Sequence, residues 1–465
     1  KAMTINHYQV AVIGAGPAGL RAAITAAKAG LTTLLIDDQP AIGGQVYRNL
    51  AHNKDAAPAY LGSGYFAGTR LLATFSQFDG VYWPQTTVWQ ITNDRQIAIT
   101  RNGSAALVDT DHIVIATGAI ERAMPVSGWT LPGVMTVGGA QTLLKQAAVG
   151  AEDAVFVGNG PLLYLTAAQY IRAGLPVRAV LDTTGPKAWR AAAIHAALAL
   201  FQPAMLTKGL SWLSTIRRHT RYVTGVTAVR ISGDDAATAI SFDTAGGPSE
   251  TIDTDHVFLH QGVIPNINLT MATGLDHVWD RVNHCWRPVV DQTGQSSNPA
   301  IYIAGDGGGI AGAAAAALSG AIAAEAIIRR VKPAAAAPLT ARLGQRLLLL
   351  HQGAARPFLD RLYHPDPPFR LPLSDDTIVC RCESVTKADI AASLGDAVAG
   401  PNQLKAFCRA GMGRCQGRSC GLIVQEMIAK DRQQTMADTG YYRVRPPVKP
   451  VTLAELASLD GPWPG

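Results

Sequence analysis

The sequence predicts an α/β protein in three parts: two Rossmann-like units, then a small helical module that carries cysteines. Three observations carry that prediction. A glycine-rich turn, Gly14-Ala-Gly-Pro-Ala-Gly19, sits between an apolar strand and a small-residue helix. A second turn of the same kind, Gly158-Asn-Gly-Pro-Leu-Leu163, follows 144 residues later in the same setting. Four of the six cysteines form one array, C-x-C-x32-C-x4-C, from Cys380 to Cys420. Repeated strand–turn–helix units of this type imply two dinucleotide-type domains in one chain.

Composition narrows the class. A chain of 465 residues has room for roughly three domains at ~150 residues each. A hydrophobic content of 48% excludes a disordered or fibrous chain. Charged residues are only 16%, which fits a protein that buries surface against other subunits. The net charge of +6 is mild and no basic run interleaves with aromatics, so nucleic-acid binding is not expected. Six cysteines in so long a chain do not make a disulfide scaffold. No secretory apolar segment opens the sequence, and Lys1-Ala2 reads as an added pair before Met3. The Ala- and Gly-rich stretch from Gly307 to Ile328 contains Glu325 and reads as a buried helix rather than a span. The run Leu347 to Leu350 is too short to cross a bilayer. The expected location is cytoplasmic, with membrane association only through a complex.

The elements follow in order. Val10 to Ile13 is a strand, the Gly turn follows, and a helix runs to about Lys28. A second strand, Leu34 to Ile36, ends at Asp37. Gly14 permits the tight turn, Gly16 lets a pyrophosphate approach the backbone, and Gly19 lets the helix pack on the strand. Asp37, 18 residues after Gly19, is placed to accept hydrogen bonds from a ribose and disfavours a 2′-phosphate. Asp111 to Gly118 is a buried strand ending in Ala116-Thr-Gly118. The second unit has a strand from Ala154, a helix to about Ala173, and a strand from Val177 that ends at Asp182. Strands are expected at 220–232, 238–242 and 256–262. Ile301 to Asp306 closes the series and a helix runs to about Arg330. Val331 to Pro338 reads as a stiff linker, with a short helix and Pro-rich chain up to 372. The domains are expected at 1–118 with 263–332, at 119–262 and at 375–440, with a connector at 333–374 and a tail at 441–465.

With the Gly305-Asp306 pair and Gly43-Gly44-Gln45 in view, residues 7 to 330 resemble the two-dinucleotide-domain flavoproteins of the glutathione and thioredoxin reductase class. In that class the late Gly-Asp pair holds a ribityl chain, and the loop after the second strand lies beside the flavin. The resemblance implies FAD held by Gly14, Gly16, Pro17, Ala18, Gly19, Asp37, Gly43, Gly44, Gln45, Arg48, Val88, Ala116, Thr117, Gly118, Gly305 and Asp306. One departure excludes a disulfide reductase: Gln45-Val-Tyr-Arg-Asn49 carries no redox cysteine pair, and the first cysteine is the lone Cys285, expected as a buried small hydrophobe. The second turn also departs, with Leu163 where Gly or Ala is expected. Asp182 can still meet a ribose, and no Arg cluster follows to select NADPH. A working nicotinamide site, an empty relic and a structural adenine nucleotide all stay open there.

Thiolates suit both iron–sulfur clusters and zinc. Gly411, Gly413 and Gly417 keep backbone N–H groups near the sulfurs, and Arg381, Arg414 and Arg418 offset their charge. Cys408 falls outside the pattern and is expected in a core. Residues 376 to 430 resemble the bacterioferritin-associated-ferredoxin-like domain, which implies a [2Fe-2S] cluster on Cys380, Cys382, Cys415 and Cys420. Zinc on the same thiolates is the alternative.

Taken together, the module order resembles the large alpha subunits of heteromeric amine and imino-acid dehydrogenases. That group contains octopine and nopaline oxidases, D-hydroxyproline dehydrogenase, dye-linked L-proline dehydrogenases and the flavoprotein subunit of hydrogen cyanide synthase. The resemblance implies a structural and electron-transfer subunit. Its partner is a beta subunit like D-amino-acid and sarcosine oxidases, which oxidises an opine or a proline-like imino acid. It also implies a small ferredoxin-like gamma subunit, an FMN at a subunit interface and a quinone or dye-type acceptor. No catalytic residue is expected in this chain: His256, His260 and His284 read as isolated structural histidines. The competing reading is a stand-alone NAD(P)H-dependent ferredoxin-type reductase, which needs the Gly158 turn to work. A third is a scaffold that holds an adenine nucleotide and zinc.

Overall fold

A computed structural model describes residues 4–460 apart from 57 and 396; Lys1 to Met3 lie outside it. The first sheet grows outward from β1 (Thr4–Ile13), whose central residues Val10, Ala11 and Val12 are fully buried. Parallel to it run β2 (Thr33–Ile36) and then β3 (Val81–Trp83) on one side. On the other side, β4 (Thr87–Ile91) and β5 (Gln96–Arg101) form an antiparallel pair that leads into β6 (Ser104–Ile115). β6 pairs in parallel with β1 along one edge, and its other edge pairs with β5 over residues 104–109 and in parallel with the late strand Ile301–Ile303 over residues 113–115. The near-continuous apolar runs of β1, β2 and β6 suit a sheet covered on both faces.

One face is covered by the helix Pro17–Lys28 and the helix Ala313–Val331. Their small residues are a packing requirement. A Cβ at Gly320 would stand 2.0 Å from the Ala18 carbonyl oxygen, so the helices meet backbone to backbone. That accounts for the Ala- and Gly-rich stretch as buried core. Among the described residues no helix is long and apolar enough to cross a membrane.

The second sheet is wholly parallel, in the order Arg221–Thr224, Val177–Asp182, Ala154–Asn159, Val257–Gln261, Val134–Thr136. A three-stranded antiparallel sheet, Val226–Ser232, Ala239–Thr244 and Glu250–Asp253, packs beneath it. Residues 333–374 carry more helix than the expected short piece: Leu339–Gly353, Arg356–Leu362 and Pro367–Arg370. The cysteine module holds the helices Lys387–Ser393, Pro401–Cys408 and Gly421–Arg432 around its own core. The Pro-rich tail returns to the first sheet, where Val444 and Val448 join the core and the Val448 N–H donates to Trp89 O at 2.9 Å. The same tail touches the cysteine loop, because Arg418 donates to Val448 O at 3.0 Å and Gln416 to Pro447 O.

Candidate functional site

The first Gly turn is built by backbone proximity. Gly14 has φ +105°, and a Cβ there would lie 2.5 Å from Ala116 O. A Cβ at Gly19 would lie 1.7 Å from Gly14 O. The turn therefore rests on Ala116-Thr117, in the segment that follows β6. Gly43 and Gly44 close the other side: the Gly43 N–H donates to Ala15 O at 2.8 Å, and Gly44 abuts Gly16. Pro17 and Ala18 open the helix, leaving its N-terminal N–H groups and positive dipole end at the turn.

Asp37 is buried at the end of β2. Its two oxygens accept the backbone N–H groups of Ala15 and, at 2.7 Å, Gln39. Burial pushes its carboxyl above the ordinary range, against those two bonds. A carboxylate has about four acceptor positions, so two remain for a ribose. Beside it, Arg48 Nε and Tyr82 Oη are buried without a partner among the described groups. Arg48 also reaches Gln39, and its charge acts on Asp37. Asp306 accepts from Ala311 N at 2.9 Å and Gly312 N at 3.1 Å, which shapes the loop before the helix Ala313–Val331. Around this end a Cβ on Gly118 or Gly309 would meet nothing within 4 Å. Parts of the carried-over set lie side by side: Gly14 at Ala116, Gly44 at Gly16 and Gly305 at Ala18. Val88 is the exception in kind: its side chain lies in the core of the first sheet.

Lys145 was not singled out from the sequence, yet it joins the two units. Its ammonium donates to Gln45 O and Val46 O, both at 3.1 Å, and to Gln141 Oε1 at 2.8 Å. Burial, helped by the Arg48 charge, lowers its pKa to about 7.

The second Gly turn has a different fate. Gly158 is held against β-backbone, since a Cβ would stand 1.7 Å from His260 O. Leu163 is fully buried in the core. Asp182 is already engaged: Oδ2 accepts from Tyr164 Oη at 2.7 Å and from Tyr222 Oη, and Oδ1 accepts from Thr184 N at 2.8 Å. Tyr363, from the segment after the helix Arg356–Leu362, lies 5.9 Å from the Tyr164 ring and packs at Gly160. Nearby, Asn159 Oδ1, Thr184 Oγ1 and Gln261 Oε1 are buried without a protein partner, a need that buried water can meet.

Two histidines read as isolated have partners. His260 Nδ1 lies 2.7 Å from Glu121 Oε1, whose other oxygen accepts from Gly138 N at 2.8 Å. His284 Nε2 lies 3.0 Å from Glu426, which also takes a two-pronged contact from Arg370. Burial opposes charge on Glu426, but His284 and Arg370 hold its carboxyl below the ordinary range. His256 is held by its backbone: its N–H donates to Thr254 Oγ1 at 3.2 Å and its carbonyl accepts from Val155 N at 2.9 Å. Cys285 is buried, and desolvation raises its thiol to about 12, which makes it inert.

The four patterned cysteines meet as two pairs. Cys380 and Cys420 are buried and share a thiol hydrogen bond; Cys382, exposed, faces the half-buried Cys415. The Cys420 bond, with N–H groups of Gly411, Glu383 and Cys382, lowers the Cys380 thiol to about 6. Gly413 lies against Cys382, where a Cβ would stand 2.2 Å from the Cys382 Cβ. Arg418 anchors the loop through Cys415 O at 3.1 Å, while Arg381 and Arg414 are exposed. Cys408 is half-buried outside the set. Among the described residues no group of three or more His, Cys, Asp or Glu is arranged to hold a metal ion.

Residues 8–321 match the pyridine nucleotide-disulphide oxidoreductase family, and residues 375–459 match the sarcosine oxidase A3 domain. The chain is 43% identical to the A component of opine oxidase from Rhizobium meliloti, over 98% of this chain and 88% of that one. It belongs to the family of opine oxidase A components. Hydrogen cyanide synthase subunit HcnB of Pseudomonas aeruginosa is 32% identical over 96% of this chain and 98% of its own. Among solved structures, L-proline dehydrogenase from P. horikoshii superposes with a TM-score of 0.69 at 17% identity, covering 98% of this chain and 80% of that one. T. acidophilum thioredoxin reductase gives 0.51 at 21% identity, covering 70% and 99%. These two likenesses concern the fold. The A3 match runs through the cysteine module and the tail together, consistent with their mutual contacts.

Proposed function

We propose that this chain is the structural and electron-transfer subunit of a heteromeric flavoprotein dehydrogenase. Its substrate would be a secondary amine or imino acid of the opine or proline-like class, oxidised on a partner subunit. The family supports FAD as the resident dinucleotide, and the residues at the first turn fit it: a helix N-terminus, the Asp37 carboxylate with spare acceptors, and two donors, Arg48 Nε and Tyr82 Oη, without a partner among the described residues. When bound, a flavin supplies the step between two-electron oxidation and one-electron transfer. The protein's own residues do the holding: Asp37 grips a ribose, the turn N–H groups neutralise phosphate, and Lys145 braces the loop at Gln45.

The observation that carries the reading is the contrast between Asp37 and Asp182. Asp182 already accepts from Tyr164, Tyr222 and Thr184 and keeps about one spare acceptor against two on Asp37, and Tyr363 packs at its turn, so a nicotinamide dinucleotide is the less well served of the two. Electrons therefore enter from a partner rather than from NAD(P)H. Four soft thiol ligands within one module suit a [2Fe-2S] cluster or zinc, and a flavin on the same chain favours the cluster, since zinc would carry no electrons. An FMN at the interface and a quinone or dye-type acceptor complete the proposal.

The test is absorption and electron paramagnetic resonance spectroscopy on the purified complex, with flavin, iron and zinc quantified. Octopine, nopaline or proline should bleach the flavin band, and NADH should leave it unchanged. Bleaching of the isolated chain by NADH within seconds would instead make it a stand-alone reductase. Zinc without iron would remove the cluster.

A further inference from the structure

The helix Leu339–Gly353 wears its apolar stripe on the outside. Leu339, Leu343, Leu347 and Leu350 recur at helical spacing, with exposures of 60%, 48%, 67% and 71%. A surface helix ordinarily turns such a stripe inward. None of this helix's residues is buried. The patch continues across a junction at which Gln202 Nε2 donates to His351 O at 2.6 Å. Beyond it stand Ile194, Leu198, Leu200 and Phe201, all exposed. Apolar area this contiguous, on several packed helices, marks an interaction surface rather than scattered surface residues.

Charge identifies the occupant. No Asp or Glu occurs between Pro186 and His219, nor between Leu339 and Gly353. The charged side chains of these two stretches are all basic, among them Lys187, Arg190, Lys208, Arg342 and Arg346. A second copy of this chain laid face to face would set those cations against themselves, because a two-fold contact repeats the same patch. A partner of a different sequence, apolar at its centre and rimmed by carboxylates, has no such conflict. Arg346 leans sideways, to within 3.5 Å of Gln292, and leaves the leucines uncovered.

We infer that this leucine face is the docking surface for the dehydrogenase's partner subunit, which meets it with an apolar patch ringed by Asp and Glu. The inference rests on the subunit reading above. A membrane with anionic lipid shares part of this chemistry and is an outcome of the test. It is not favoured, because membership of a family of oxidase subunits requires a protein interface somewhere on the chain, whereas nothing requires a lipid one.

The experiment uses the full chain, tagged and expressed in its source cells, with a photo-crosslinking amino acid in place of Leu347 or Leu198. Adducts are mapped by mass spectrometry. The expected adduct is a peptide of a co-purifying flavoprotein, with Asp or Glu beside the cross-linked apolar residue. Alongside it, a variant carrying Leu343→Ser, Leu347→Ser and Leu350→Ser should keep its flavin and melting temperature and lose the partner at least tenfold. Retention of the partner by that variant overturns the surface and leaves the subunit reading standing. Failure of the unaltered chain to yield any heteromer overturns both. Adducts to this same chain, or leucine-dependent sedimentation with phosphatidylglycerol vesicles in place of partner capture, overturn it in favour of a homodimer or a membrane. A large fall in the variant's own melting temperature also overturns it, since the stripe would then be part of the chain's core.

Discussion

The two glycine turns start from nearly the same sequence and end in opposite states. In the first, the acid that closes the second strand keeps about two spare acceptors, with Arg48 Nε and Tyr82 Oη nearby and unpartnered among the described residues. In the second, two tyrosine hydroxyls and a backbone N–H take up Asp182, and Tyr363 packs at the turn. The difference teaches that a Rossmann turn is a scaffold whose use is decided by what else reaches the carboxyl ends of the strands.

The largest expected effect breaks the comparison at the glycines. Gly19→Ala places a Cβ 1.7 Å from Gly14 O, a collision with backbone that cannot relax cheaply. That variant should purify without flavin or fail to fold. Gly160→Ala meets only ordinary contacts, 3.8 Å from the His260 ring, and its cost is that of φ +104°. It should keep full flavin occupancy with a stability loss of ~1–3 kcal/mol, the cost of placing Ala at φ +104°, ψ +164°. Released flavin and thermal melts check both.

Next comes the cover over the second turn. Arg370 ties the Pro367–Arg370 segment to Glu426 in the cysteine module, with both side chains nearly buried. Arg370→Ala leaves Glu426 short of its main cation, at a cost of about 3–5 kcal/mol by the usual outcome of breaking a buried pair. Denaturant melts should show that loss. NADH should still fail to bleach the flavin, because Asp182 stays tied by Tyr164 and Tyr222. If the variant becomes NADH-reducible, the cover rather than the tyrosines closes the site.

A smaller pair of substitutions sharpens the contrast at the acids. Asp37→Asn should weaken flavin retention about tenfold or more, in line with ~1.5–3 kcal/mol for a hydrogen bond to a charged group. Asp182→Asn should leave flavin occupancy unchanged and lower stability by a similar ~1–3 kcal/mol, as its tyrosine and Thr184 bonds weaken. Equal effects on flavin from both would erase the distinction.

The local half of this difference was legible in the sequence. The first βαβ unit and the defect at Leu163 both follow from residues close in the chain. What closes the second turn was not legible. Tyr222 reaches Asp182 across 40 residues, and Tyr363 arrives from a segment that reads as connector. Histidines that look isolated found carboxylates 139 and 142 residues away, Glu121 and Glu426. Such pairings are products of tertiary packing and leave no periodicity or spacing to read. The Pro-rich tail is similar: its composition marks it as a segment that wraps another surface, but only the fold brings Val448 to Trp89 and Arg418.

The smallest effect concerns the brace between the two units, and its sign distinguishes burial from ordinary surface charge. Lys145 has a folded pKa of about 7, below its ordinary 10.5, because it is buried beside Arg48. Below pH 7 the ammonium is charged in both folded and unfolded states, and the folded state bears the full cost of burying it. Between pH 7 and 10.5 the unfolded chain holds a proton that the folded one has released. Stability then rises with pH, by at most ~1.4 kcal/mol per unit from this group. Lys145→Met removes the titration along with the bonds to Gln45 O and Val46 O. The melting temperature of the unaltered chain, minus that of Lys145→Met, should therefore be flat below pH 7 and climb from pH 7 to 10. A flat difference throughout would mean that the three hydrogen bonds hold the ammonium charged despite burial, and that the Gln45 loop is braced by a permanent cation.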